Sequence, residues 1–120
     1  MFVRFVGGHI DRRTHKRHGI FDAAGTAMDV LELESYEVER LRSVLDWFNA
    51  HLPVPTTLTR LQICWFKASA REHLARAREI QHILDANGVL IEMLTTRRPG
   101  YVVYEDEFQV AAHPFVRTPA

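Results

Sequence analysis

The order of helix-like and strand-like segments in this sequence predicts an α+β, or mixed α/β, fold. Two observations lead to this prediction. The chain has 120 residues, which is the length of one domain and enough to bury a core. Segments with helical and with alternating apolar periodicity follow one another in the order β-α-α-β-α-β-β-β. We therefore expect a single domain over residues 1–120, with a four- or five-stranded mixed sheet covered by about three helices.

A strand and a basic loop are predicted at the N-terminus. Phe2–Val6 has the composition of a strand and ends at two glycines. Residues 9–18 follow, with four arginine or lysine side chains, three histidines, a single acid and no apolar periodicity. This composition predicts a loop.

Two amphipathic helices are predicted next. The apolar residues from Ile20 to Leu31 recur at the spacing of one helical face, although Gly25 costs about 1 kcal/mol relative to alanine. Ser35 is a suitable N-cap for the second helix. Pro53 ends any helix that reaches it, because proline lacks the amide hydrogen.

The stretch Leu61–Gly88 carries the clearest structural pattern in the chain. Leu61–Lys67 is apolar on both alternating faces, which is typical of a strand buried on both sides, so we place it centrally in the sheet. Ser69 and Glu72 have the spacing of a capping box at the start of a helix. Gly88 is expected to provide the left-handed residue that ends this helix.

The C-terminal third is predicted to be strands and turns. Val89–Thr95 is expected to form a strand joined to the previous one by a right-handed crossover, if the two are parallel. Tyr101–Tyr104 and Phe108–Ala112 then form a hairpin. Residues 114–120, which contain two prolines, are predicted to be a terminal tail.

Composition excludes some classes of protein. The formal net charge is +0, which argues against a surface that binds nucleic acid or anionic membrane all over, although a local patch remains compatible. The single cysteine excludes an internal disulfide framework. No apolar run approaches 18 residues, and Arg4 interrupts the short apolar N-terminus. We therefore expect no membrane-spanning helix, no signal peptide and a cytoplasmic location.

Five side chains are candidates for catalysis. Lys67 lies at the end of the predicted central strand, just before a helix N-terminus, where α/β proteins often bind anions. His73 falls in the apolar stripe of that helix, so it is either a core residue or a proton carrier. The candidate charged partners for Lys67 or His73 in such a site are Glu92, Arg98 and Glu105. A small hydrolase or phosphate-handling enzyme requires these side chains to converge in one cleft.

The acidic turn Glu105–Glu107 raises the question of a metal site. Clusters of carboxylates bind hard cations such as Mg²⁺ or Ca²⁺. The spacing here matches no calcium loop, and a solvated hairpin tip is the simpler interpretation. We predict neither a metal nor a cofactor.

Two sets of side chains are candidates for binding macromolecules. The loop Arg12–Arg17 offers a local basic patch for nucleic acid, although it lacks aromatic residues that stack on bases. Aromatic side chains near turns are candidate anchors for a protein partner, although burial in the core is the common alternative. The basic candidates are Arg12, Arg13, Lys16 and Arg17, and the aromatic candidates are Trp47, Tyr101 and Tyr104.

Three segments resemble a group of small uncharacterised bacterial proteins of about this chain length. They are Asp46–Pro55, Cys64–His73 and Arg98–Glu107, and the similarity extends from Gly19 to Phe115. The resemblance implies a bacterial or mobile-element origin and a single cytosolic domain. Because the group has no known activity, it implies no functional residue.

Taken together, these features favour a non-enzymatic binding protein whose surface contacts a macromolecular partner, most naturally a protein. Neutral charge, small size and the lack of a recognisable catalytic constellation all support this hypothesis. The small hydrolase centred on Lys67 and His73 is the alternative, and nucleic-acid binding through Arg12–Arg17 is a further one.

Overall fold

The computed structural model describes residues 1–10, 16–56 and 62–119. Three helices and six strands occur within these ranges, and they form one α+β domain. In chain order the elements are β1 (Phe2–Ile10), β2 (Arg17–Gly19), α1 (Ile20–Val30), α2 (Ser35–His51), β3 (Ile63–Lys67), α3 (Arg71–Ala86), β4 (Ile91–Thr96), β5 (Tyr101–Glu105) and β6 (Gln109–His113). The predicted fold class and element order are confirmed. The described part of the sheet has six strands rather than the predicted four or five, because β2 is an additional short strand in the segment predicted to be a loop, and the pairings of the sheet are all antiparallel rather than mixed.

Strand β1 organises the sheet. Along one side it pairs with β4, and along the other it pairs first with β3 and then with β2. Beyond β3 come β6 and then β5, and every neighbouring pair is antiparallel. Because β3 and β4 both run opposite to β1, they are parallel to each other, and α3 connects them as the predicted crossover.

One face of the sheet is covered by the three helices. Val3, Phe5 and Phe66 contribute the strand side of this apolar cluster. Each helix presents residues spaced three or four apart, which lie on one side of a helix. These helical members are Ile20, Ala24 and Ala27 from α1, Leu41, Val44 and Phe48 from α2, and Ala77, Ile80 and Leu84 from α3. Each fully buried large aliphatic side chain stabilises the fold by about 1.5–3 kcal/mol.

A second apolar cluster lies on the opposite face of the sheet. It consists of Ile63, Trp65 and Val110, with Phe2 and Leu94 packed against it. Its described members all come from strands, yet Trp65 is only 1% exposed. This cluster therefore owes its burial to something other than the helical layer.

Curvature of the sheet accounts for part of this burial. Strands β4 and β5 lie at opposite ends of the order β4-β1-β3-β6-β5, which would span about 19 Å in a flat sheet. Only four residues link Thr96 to Tyr101, and such a chain reaches at most about 18 Å. The link must also run back along the strand direction, because β4 and β5 are parallel. The sheet consequently curls, and its concave face holds Trp65.

The helix ends show where the local patterns were right and where they were wrong. Gly88 has φ +81° and ends α3, as predicted. The predicted capping box of Ser69 and Glu72 is wrong, because α3 takes Ala70 as its N-cap and has no side-chain cap. Ser69 lies one residue too early, in a turn that precedes the helix. In α2 the cap position is Glu34, whose amide donates to Glu37 Oε1 at 3.0 Å, rather than the predicted Ser35.

Candidate functional site

Lys67 and Glu105, two of the predicted catalytic residues, form an ion pair. Lys67 Nζ lies 2.6 Å from Glu105 Oε2, and the two side chains are 23% and 56% exposed. Lys67 follows Phe66, which faces the helices, so the lysine side chain points to the concave face. A partly exposed pair of this kind contributes about 0–1 kcal/mol. The pair also neutralises the charge that a phosphate would need.

His73 lies on the other side of the sheet. It is 4% exposed, and its ring stacks on Phe108 with centroids 4.2 Å apart. Its Nε2 is 2.9 Å from the carbonyl oxygen of His51, and because a carbonyl only accepts, this nitrogen carries the proton and donates. His73 is therefore a hydrogen-bonded core residue. Lys67 and His73 do not share a cleft, so the geometry does not support an enzyme centred on both.

Glu92 and Arg98 do not join either of these groups. Glu92 lies opposite Val6 in the sheet, and its Oε2 is 2.6 Å from Arg17 Nη1. Arg98 follows β4, and its guanidinium lies 5.2 Å from the centre of the Phe115 ring. The five catalytic candidates thus fall into four separate environments, and only Lys67 and Glu105 meet.

The basic loop is described only in part. Arg12 and Arg13 lie outside the described residues. Burial, and then the charge of Arg4, lower the pKa of Lys16. Arg17 donates from Nε to the carbonyl oxygen of Gly7 at 2.9 Å, in addition to its ion pair with Glu92. Its charge is therefore used within the fold.

The acidic turn is organised around Asp106. This carboxylate accepts hydrogen bonds from the amides of Phe108 and Gln109, from the side chain of Gln109 and from the hydroxyl of Tyr104, all at 2.8–3.0 Å. Burial alone would raise the pKa of Asp106, but these hydrogen bonds together lower it. The same bond to Asp106 raises the pKa of Tyr104. Asp106 and Tyr104 thus serve the hairpin turn, and no described group of three His, Cys, Asp or Glu side chains is arranged to hold a metal ion.

Trp47 contributes to the rim of the core. Its ring stacks on His51 at 4.4 Å and meets His73 edge-on at 4.8 Å. The guanidinium of Arg76 lies 5.2 Å from its centre. A fourth neighbour, Phe48, lies 5.2 Å from the ring centre, so much of the Trp47 ring is already in contact within the chain.

Tyr101, by contrast, lies on an exposed edge. Among the described strands β5 pairs only with β6, so it ends the sheet. Tyr101, Val102 and Val103 are 69%, 46% and 42% exposed, whereas Val110, Ala111 and Ala112 of β6 are buried. The pairing of β5 with β6 shifts between Val102 and Tyr104, which identifies a bulge at Val103.

A broad groove of about 820 Å³ lies beside the start of β5. It is lined by residues 96–98, Tyr101 and residues 114–118. Three arginines border it, Arg97, Arg98 and Arg117, and within the described ranges none of them forms an ion pair. Sequence reasoning missed this cluster, because Arg117 is distant from the other two in the chain.

Sequence reasoning also missed Arg4. This residue lines a cavity of about 230 Å³ at the point where β1 leaves β3 to pair with β2. Its Nη2 donates to the carbonyl oxygen of Arg17 at 2.8 Å, while Nη1 is buried and has no partner among the described residues. Burial lowers the pKa of Arg4 to about 10. Trp65 Nε1 and Gln62 Oε1, which belong to the same cavity lining, are likewise buried without a described partner.

Comparison with family models, with curated proteins and with solved structures finds no match to this chain. The resemblance to small bacterial proteins therefore stays a prediction. Across the described helices, none combines the length and apolar character needed to cross a membrane.

Proposed function

We propose that this protein binds another protein by accepting an extended segment along the outer edge of β5. The observation that supports this proposal is the run of three exposed apolar side chains, Tyr101, Val102 and Val103, on the last strand of the described sheet. A strand at the edge presents unpaired amide and carbonyl groups along one side. Folded proteins usually shorten, charge, bulge or cover such an edge; β5 has a bulge at Val103, but its exposed apolar residues are uncovered and are a site for strand addition.

The chemistry of β5 suits a protein segment better than a small molecule. Backbone groups of an added strand would provide hydrogen bonds, while Tyr101 and the two valines would contact alternate side chains of the partner. Tyrosine is also enriched at residues that dominate binding energy in interfaces. This is the role expected of Tyr101 from the sequence, and we place the partner in the cytoplasm.

Photo-crosslinking tests this proposal. A benzophenone amino acid replaces Tyr101 in one variant and Tyr36 in a control, because both tyrosines are 69% exposed and Tyr36 lies on α2. We expect a discrete protein adduct from position 101 only. Val102→Lys should reduce that adduct at least tenfold, since an edge lysine opposes strand pairing, whereas Val30→Lys on α1 should leave it unchanged. Equal adducts from positions 101 and 36 would contradict the proposal.

Nucleic-acid binding through Arg12–Arg17 remains a separate prediction. Titration against DNA and RNA at two salt concentrations tests it, because each neutralised phosphate adds to the salt dependence. Affinity that does not change with salt would count against it.

A further inference from the structure

We infer that the segment accepted by β5 is β5 of a second copy of this chain, paired antiparallel about a two-fold axis near Val102 and Val103. This inference rests on the proposed function, since it names the occupant of the same edge. Two observations support it: the charged residues that flank β5 have opposite signs at its two ends, and some of them form no ion pair within one copy.

The charges that flank β5 have opposite signs at its two ends. Arg97 and Arg98 precede the strand, and the acidic turn Glu105–Glu107 closes it. In an antiparallel pair related by a two-fold axis, a residue before the axis in one copy faces the residue equally far beyond it in the other. Arg97 and Glu107 lie outside β5, five residues on either side of Val102, so an axis there brings the basic end of one copy near the acidic end of the other. Parallel pairing would instead set like charges side by side.

Contacts within one copy leave these outer charges available. Glu105 is paired with Lys67, and Asp106 is occupied by its hydrogen bonds in the turn. Glu107 is exposed and forms no ion pair in the described part of the chain, and the same holds for Arg97. Each copy therefore offers an unused acid at one end of β5 and an unused base at the other. Such an arrangement attracts an identical chain in one orientation and disfavours the reverse.

The groove beside β5 and its exposed side chains support the same pairing. The arginine-bordered groove lies beside the start of β5, so the acidic turn of a second copy would approach it. The three exposed side chains Tyr101, Val102 and Val103 would meet their own equivalents near the axis. The bulge at Val103 limits a continuous backbone ladder, so side-chain contacts must supply much of the affinity. We expect a dimer whose population depends on concentration.

Sedimentation equilibrium of the full chain, over a wide concentration range and at low and high salt, tests this inference. The mass should rise toward about 28 kDa, twice the 13.9 kDa of one chain. High salt should shift the association to higher concentration, because the charges involved are exposed. Arg97→Glu alone and Glu107→Arg alone should each shift dimerisation to about tenfold higher concentration than in the parent chain, because each reversal turns two exposed attractions per dimer into repulsions of about 0–1 kcal/mol each.

The decisive measurement mixes the two variants. Arg97→Glu and Glu107→Arg together should recover a mass near twice that of one chain, because each supplies the charge that the other now lacks. Arg42→Glu, an exposed change on α2, is the control and should dimerise like the parent chain.

Three outcomes would overturn self-pairing. They are a monomer at every concentration, a dimer whose concentration dependence neither single charge reversal changes, and a mixture of the two variants that associates no more tightly than either variant alone. A monomer that still gives the adduct from position 101 to a different protein would leave strand addition in place while removing the second copy. Equal adducts from positions 101 and 36 would remove strand addition itself.

Discussion

Gly100 is the position where a single methyl group should damage the fold most. Its φ is +128°, and a Cβ placed there would overlap the carbonyl oxygen of His113 and lie 2.9 Å from the Cα of Pro114. Both neighbours are backbone atoms, so they cannot rotate away as a side chain would. The unfavourable backbone conformation costs about 1–3 kcal/mol, and overpacking adds about 1–3 kcal/mol. We expect Gly100→Ala to lower the free energy of unfolding by about 2–6 kcal/mol, a large share of the 5–15 kcal/mol typical of a domain.

Gly88→Ala is the matched control. Gly88 also has positive φ, +81°, but a Cβ at this residue would have no neighbouring atom within 4 Å. Only the left-handed backbone is penalised there, at about 1–2 kcal/mol. Urea unfolding followed by tryptophan fluorescence should separate the two variants by about 1.2 M in midpoint, because the middle values of the two ranges differ by about 2.5 kcal/mol and the slope is near 2 kcal/mol per M. If Gly100→Ala unfolds at the same urea concentration as Gly88→Ala, the close approach of the Gly100 and His113 backbones is refuted.

Two further substitutions test the electrostatics of the fold. Asp106→Asn should make stability fall less steeply in acid. The pKa of Asp106 is lowered in the folded chain, so the ionised carboxylate stabilises the fold fully at pH values above the ordinary carboxyl pKa near 4. This stabilisation is lost as the pH falls through the lowered pKa of the folded chain. Urea midpoints between pH 2 and pH 6 measure this, and an unchanged acid profile would oppose it. Arg4→Met should not reduce stability at pH 7, because the guanidinium is partly buried with Nη1 unpartnered among the described residues, while its bond to the Arg17 carbonyl contributes only about 1.5–3 kcal/mol. A drop of more than about 2 kcal/mol would show that Arg4 supports the fold through contacts other than this bond.

Periodicity predicted the elements whose stability comes from an apolar face. The stripe of α3 is the clearest case, since His73, Ala77, Ile80 and Leu84 are all buried as their spacing requires. Strand β2 carries no such pattern. It has three residues and exists because β1 is long enough to pair with it, which is a tertiary cause that a local pattern does not contain.

The candidate site was harder to predict, because it depends on which strands are neighbours. Successive side chains of β3 point to opposite faces of the sheet, so Lys67 lies on the opposite face from Phe66. His73 is buried on the Phe66 side and is therefore separated from Lys67. Nothing local to Tyr101–Glu105 reveals that β5 ends the sheet while the similar segment β6 is buried. The three groove arginines meet for the same reason: the chain returns to Arg98 through Thr118, whose hydroxyl donates to the Arg98 carbonyl at 3.2 Å.

The central place of β1 also governs when the sheet can form. Phe2 pairs with Lys67 on one side and with Thr96 on the other, so β1 is synthesised well before these two partners. At ordinary rates of translation this delay is on the order of 5–20 s. During that interval β2 is the one described strand that β1 can pair with. The apolar residues of β1 remain accessible to chaperones or to other nascent chains. The apolar residues of β1 are thus open to contacts with other molecules before the sheet forms, although several of them are buried in the folded chain.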